Sequence, residues 1–234
     1  MENRNFLKFI IVLVSFVLIN LANLIFPGQV FAYEVQTHQG ITKEVIRFYN
    51  QNFPDKAIVE DDAKRIIYGS LQEDDAPRWF NHYYDPVHNT GLTMIPGGWL
   101  SSKEWARDPV AQTAAFYNPI KSSTLAFYAQ MTDPDALETT DYTWERALRD
   151  YLAGDSDRAF RGLGQVLHLI EDASVPDHPR DDPHVALGGV GIAGEGSPYE
   201  LWTGQFNLEN TNLLQYLYLQ KPVALNSLDE YFEA

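Results

Sequence analysis

A chain of 234 residues with no cysteine has no disulfide framework and no thiolate metal site. Acidic residues number 32 against 17 basic ones, a formal net charge of −15. A surface of that sign repels polyanions and argues against a broad nucleic-acid groove, except where bound cations reverse the local field.

The chain opens as an export signal would. MENRNFLK is short and basic, FIIVLVSFVLINLANLIF is an apolar run of 18, and PGQVFA sets Val30 and Ala32 before a cut between Ala32 and Tyr33. An uncleaved anchor is the competing reading, because the apolar run is almost long enough to span a bilayer. The break at Pro27-Gly28 and the residues at the cut favour cleavage, which places the protein outside the cell or in its envelope. Residues 33–234 then form one domain of 202 residues with a substantial core. Removing Glu2, Arg4 and Lys8 leaves 15 basic against 31 acidic residues, a net of −16.

Helical periodicity dominates the mature chain. THQGITKEVIRFYNQ spaces Ile41, Val45, Ile46 and Phe48 for one helix face, and DDAKRIIYGSL opens with acids as a helix start should. RDPVAQTAAFYNPIKSSTLAFYAQM reads as helical material interrupted near Pro119. TWERALRDYLAG is amphipathic and stops at Gly154; DSDRAFRGLGQVLHLIEDAS comes next, with Asp155 or Ser156 as cap and Pro176 as terminator. LNSLDEYFEA reads as an opening helix, which points to more chain beyond it. The expected fold is all-α, a single multi-helix domain.

Two long stretches resist the pattern, residues 77–105 and 179–200, and loops of that length are usually functional or mobile. Within the second, Gly189 to Gly194 (GVGIAG) matches the dinucleotide fingerprint in letters, but it follows no strand and opens no βαβ unit. It reads as a flexible lid, not as a cofactor loop.

The densest chemistry lies in HLIEDASVPDH, residues 168–178. His168 and Asp172 stand one helical turn apart and project from the same face. The two oxygens of Asp172 suffice to bridge two cations, and His178, past Pro176, approaches from another side. Imidazoles and carboxylates so arranged suit zinc. For this segment alone a core histidine satisfied by Asp172, with His178 exposed, is an equal reading. The other histidines are His38 at the start of the first helix, His82 shortly after Glu73, Asp74 and Asp75, His88, and His184, which precedes Glu200. A soluble domain has no packing reason to place its few histidines in this way.

With these residues assembled, the chain resembles the zinc-dependent phospholipase C family, which shares an all-helical trinuclear-zinc fold with single-strand nucleases of the S1/P1 type. The resemblance rests on H-x3-D-x5-H (His168, Asp172, His178), on GS-x3-D ending at Asp74, on the N-H-Y-Y-D-P box around His82, and on P-Y-E ending at Glu200. It spans Tyr33 to about Trp202. It implies that Asp74, His82, His168 and Asp172 hold one zinc. Asp172 would bridge to a second, completed by His38 and by the amine and carbonyl of the mature N-terminal residue. That residue is tryptophan in the family and Tyr33 here, so signal removal would complete the site. A third zinc would take His178, Glu200 and one more histidine; the family's position for it is Gly196 here, and His184 is the candidate replacement. Glu73 and Asp75 compete with Asp74, which spacing favours. His88 matches nothing and is expected to be exposed or near the substrate.

The resemblance further implies a secreted hydrolase, with two to three Zn²⁺ ions activating water for attack on a phosphodiester. Asp74 would orient or deprotonate that water, a role ranked below its ligand role. The expected substrate is a glycerophospholipid such as phosphatidylcholine at a membrane surface. Trp79, Tyr83, Tyr84 and Trp99 are candidates for an aromatic approach, against plain core packing. Two alternatives stay open: a nuclease or 3′-nucleotidase, supported by the five-residue step from Tyr33 to His38, and a zinc-holding surface protein without turnover.

Overall fold

In the computed structural model, residues 35–74, 78–93, 99–117, 140–182, 186–187, 190–191, 197–204, 215–216 and 218–233 are described. The expected signal sequence, Tyr33, Asp75 and His184 lie outside them.

Helix α1 is Val35–Asn52, and it turns Thr37, His38, Thr42 and Ile46 inward. His38, Thr42 and Ile46 recur every four residues, so they form one stripe along the helix. A single 3-10 turn, Pro54–Lys56, leads to α2, Glu60–Gln72, whose Glu60, Asp61 and Asp62 sit at the positive end of its dipole. A second 3-10 turn, Arg78–Asn81, precedes the short α3, Ser102–Trp105. There Ser101 and Glu104 form a reciprocal capping box, each side chain accepting from the other's backbone N–H. Helix α4 is Pro109–Tyr117, and Pro119 itself lies outside the described residues.

Helix α5, Trp144–Ala153, is capped by Thr143 and closed by Gly154, whose φ of 84° is left-handed. Helix α6, Ser156–Asp172, starts on Asp155, whose carboxylate accepts from the Arg158 N–H. It ends at Asp172, ahead of Pro176. The stop is made by turns: the Val175 N–H donates to the Asp172 carbonyl at 2.9 Å, and the Ser174 hydroxyl donates to the Glu171 carbonyl at 2.6 Å. Pro176 therefore bars a helix that has already turned.

Helices α2 and α6 lie backbone to backbone. A Cβ on Gly69 would fall 2.0 Å from the Arg161 carbonyl oxygen, and one on Gly164 would fall 2.0 Å from that of Ile66. Only glycine permits this approach.

After α6 come a two-residue antiparallel pair, β1 Ala186–Leu187 and β2 Val190–Gly191, then α7, Pro198–Gly204, and α8, Leu228–Glu233. Among the described residues that pair is the only strand structure, so the fold is all-α in class. Val190 and Gly191 of the glycine-rich stretch belong to it, so that stretch does follow a strand, contrary to expectation. The pairing is an antiparallel hairpin and not the parallel pairing of a βαβ unit, and the rest of the stretch lies outside the described residues. The final segment docks Leu228 and Phe232 into a core with Tyr84, Trp105, Ala106, Val166 and Leu169. Asp229 pairs with Arg107 at 2.6 Å on the rim of that contact. Among the described residues no helix is long and apolar enough to cross a membrane.

Candidate metal centre

One end of α6 gathers acids and imidazoles from distant parts of the chain. His38 arrives from the first turn of α1, and His168 and Asp172 from the last turns of α6. Asp74 comes just after the end of α2. His82 comes after the second 3-10 turn, where the Asn81 side-chain oxygen accepts from the Leu100 N–H at 3.0 Å and the Tyr83 carbonyl accepts from Ser102 at 3.0 Å. These two bonds fix the backbone on either side of His82. His178 stands on the turn after α6, its ring stacked on Tyr83 at 4.8 Å. Glu200 lies in the first turn of α7; the Ser197 hydroxyl accepts from its N–H at 3.2 Å and donates to the Asp177 carboxylate.

Asp172 is the centre of the cluster. Its Oδ1 is 3.2 Å from His38 Nε2, while its Oδ2 is 2.9 Å from His82 Nδ1, 3.3 Å from His168 Nε2 and 3.5 Å from His178 Nδ1. Asp74 Oδ1 is 3.5 Å from His168 Nε2 and 3.9 Å from His82 Nδ1. His178 Nε2 faces Glu200 Oε1 at 3.4 Å. Two triads stand out, His38–His168–Asp172 and Asp74–His82–His168, each with all its ligand atoms within 4.8 Å of one another. They share His168, whose ring also stacks on His38 at 3.7 Å.

What these atoms lack is as telling as what they approach. Both oxygens of Asp74 and of Asp172, both ring nitrogens of His82, and Nε2 of His168 are buried without a hydrogen-bond partner. Native structures pair such groups with protein, water or an ion. One nitrogen of each neighbouring imidazole has a partner outside the cluster. His168 Nδ1 donates to the Ser70 carbonyl at 2.7 Å, His178 Nδ1 to the His82 carbonyl at 3.2 Å, and His38 Nδ1 to Glu171 Oε2 at 2.7 Å. An outer partner that fixes tautomer and ring orientation is the usual setting of a metal-bound histidine. These buried His/Asp groups can hold a metal ion.

The electrostatics demand positive charge at this spot. Burial by itself lowers the His38 imidazole, but its contacts with Asp172 and Glu171 outweigh that and push it up to about 10. His82 is likewise lowered by burial and lifted by Asp172, Glu73 and Asp74, also to about 10. Burial raises Asp172, yet His178, His168 and His82 around it hold it well below the usual carboxylate range. A proton on His38 or His82 and a cation among the same acids are competing answers to one excess of negative charge.

Glu73 is committed elsewhere. Its oxygens accept from Trp105 Nε1 at 2.7 Å and from Arg78 Nε at 2.8 Å, and one stands 3.7 Å from His82 Nε2. Burial raises its carboxyl, but Arg78 and His82 bring it below its ordinary value. Of the two acids, only Asp74 keeps its oxygens for the cluster. His88 is exposed and pairs with Asp85 at 2.5 Å. Of the four candidate aromatics, Tyr84 belongs to the core and Tyr83 is buried against His178. Trp99 is half-buried and stacked on Phe80 at 4.2 Å, and the Trp79 side chain lies outside the described residues. Tyr33 and His184, the remaining expected ligands, also lie outside them. A hollow of about 810 Å³ between α1, α2, α5 and α6, lined by Tyr49, Trp144, Phe160 and Leu163 among others, contains none of the cluster residues.

Glu171 is not foreseen from sequence. It stands three residues after His168, a helical neighbour, but the acid beside it carries the whole pattern. Thr42, one turn after His38, donates to Glu171 Oε1 at 2.9 Å and is equally silent in sequence. Comparison with protein families, with curated proteins and with solved structures found no match for this chain.

Proposed function

We propose that this protein is an exported zinc-dependent phosphodiester hydrolase with the phospholipase C/P1 nuclease fold. Its proposed reaction is phospholipase C cleavage of a glycerophospholipid, such as phosphatidylcholine at a membrane surface, to diacylglycerol and a phosphorylated head group. The observation that carries this reading is the meeting of buried His38, His82, His168 and His178 around Asp172, with Asp74 alongside. The cluster offers nitrogen and oxygen donors, and zinc takes such a set readily.

In this reading Asp74, His82, His168 and Asp172 hold one zinc. Asp172 and His38 would hold a second, together with the backbone amine and carbonyl of Tyr33 once the signal is removed. His178 and Glu200 begin a third, with His184 as its further ligand. Bound zinc supplies hydroxide at neutral pH by lowering the pKa of water to ~7, and it offsets charge on phosphoryl oxygens. The protein's own part is to hold the donors rigidly and to keep Asp74 available. An Asp74 oxygen left free of the metal would orient the attacking water or take its proton, a role second to that of ligand. The outer contacts to Ser70, His82 and Glu171 keep the imidazoles turned inward.

The test pairs metal content with turnover. The mature chain is assayed for bound zinc, then given phosphatidylcholine vesicles and single-stranded DNA, each with and without chelator. Diacylglycerol release that chelator abolishes is the expected result. DNA cleavage instead points to the nuclease, and bound zinc with neither activity points to a zinc-holding surface protein. A chain that binds no divalent cation overturns the reading. A secreted form with residues left ahead of Tyr33 is expected to bind less zinc.

A further inference from the structure

We propose that Glu171 is a positioning residue that sets His38 for its cation; the proposal rests on the metal-centre reading and adds a role to a residue outside the ligand set. Adjacent residues on a helix point about 100° apart. Glu171 therefore does not share the direction of Asp172 and reaches the flank that faces α1. Both of its oxygens are engaged there: Oε2 accepts from His38 Nδ1 at 2.7 Å and Oε1 accepts from Thr42 Oγ1 at 2.9 Å. Thr42 is fully buried and its hydroxyl also lies 3.1 Å from Ser70 Oγ, so the carboxylate is clamped between α1 and α6 beside α2.

Once the ring is neutral, as a bound cation requires, the consequence is a single tautomer. With Nδ1 holding its hydrogen toward Glu171, Nε2 is the atom His38 presents to Asp172 Oδ1, 3.2 Å away. The other two imidazoles with an outer partner use backbone carbonyls, at Ser70 and His82. A carbonyl orients a ring, whereas a carboxylate also adds a full negative charge and makes the ligand more basic. His38 has that help from Glu171 at hydrogen-bond distance, so Glu171 acts on the cation shared by His38 and Asp172 more than on the one near Asp74.

The experiment uses the mature chain with ¹⁵N-labelled histidine, titrated with zinc against a competing chelator. Glu171→Ala is expected to weaken one bound zinc by about 10- to 100-fold. In the zinc-loaded chain it is also expected to shift the His38 Nδ1–H resonance, which loses its carboxylate acceptor, while the ring nitrogens of His168 stay unchanged. Glu171→Gln, which keeps an acceptor for His38, is expected to preserve the tautomer and recover part of the affinity. Should Glu171→Ala fail to fold, Glu171→Gln and Thr42→Val decide the matter, the latter with an expected loss of about 2- to 10-fold. Folded variants that bind zinc as the wild type does, with the His38 Nδ1–H resonance unchanged, overturn the proposal. A wild type that binds no zinc overturns the metal-centre reading itself, and that shows before any substitution is made.

Discussion

His168 Nδ1 donates to the carbonyl of Ser70 at 2.7 Å, across two helices whose backbones touch. The bond exists because Gly164, one turn before His168, lets α2 approach so closely. A Cβ there would meet the Ile66 carbonyl oxygen at 2.0 Å and the Ser70 nitrogen at 2.7 Å. Gly164→Ala must push the helices apart, and backbone offers no flexible end to yield. The expected cost is about 3 kcal/mol, the upper part of the range for overpacked cores, with zinc lost as well. Urea unfolding with chelator and zinc content without it measure the two effects. A fully stable, fully loaded variant would show that the helix contact does not set the site.

Asp172→Asn keeps the shape and removes the charge that four imidazoles face. An amide nitrogen is no ligand, and a bridge needs both oxygens. Zinc per chain should fall by at least one equivalent. Hydrolysis should fall by more than the ~10- to 100-fold that loss of an outer hydrogen-bond partner costs. Elemental analysis beside a lipid assay reads both.

Glu73 separates stability from metal binding. Its carboxylate is fully buried and answers the Arg78 guanidinium at 2.7 Å and the Trp105 N–H at 2.7 Å. Glu73→Ala strands both partners, and breaking a buried pair in this way costs about 3–5 kcal/mol. Lys64→Ala, which removes the exposed pair with Glu60, should leave stability almost unchanged. Denaturant midpoints of the two variants side by side test the contrast.

The difference between Asp74 and Glu73 also shows how far the sequence can be read. Helical spacing is enough to put His168 and Asp172 on one face, because the period of a helix is fixed. Rarity draws attention to His38, His82 and His178, since imidazoles have no packing reason to recur beside acids. Partners that act through the backbone leave no mark: the Ser70 and His82 carbonyls belong to every residue type equally. Glu171 is hidden for a different reason, since Thr42, which clamps it, lies 129 positions away. The sequence places the end of α6 too close to Pro176, because proline shows only where a helix cannot continue. Ser174 and Val175 have already turned the chain onto Glu171 and Asp172. Tyr84 suits a core or an approach equally well in sequence, and only Phe232, edge-on to it at 6.3 Å, decides for the core.

Zinc uptake should expel protons, and the imidazoles set the sign. His38 and His82 are raised from an ordinary 6.5 to about 10, so in the cation-free chain both rings are protonated at pH 8. Their contribution to cation-free stability is complete below about 6.5 and fades as pH climbs through about 10. Asp172 behaves oppositely: its contribution is present above its ordinary 3.8 and fades on acidification through its depressed value. A divalent ion accepts only neutral imidazole, so each ring must release its proton on binding. Calorimetry at pH 8 in buffers of different ionisation enthalpy should give about two protons released per loaded centre. Affinity should rise roughly 100-fold per pH unit and level off near pH 10, where the rings are already neutral. Release of no protons would mean that zinc sits elsewhere, because no cation can share the Asp172 carboxylate with two protonated rings 3.2 and 2.9 Å away.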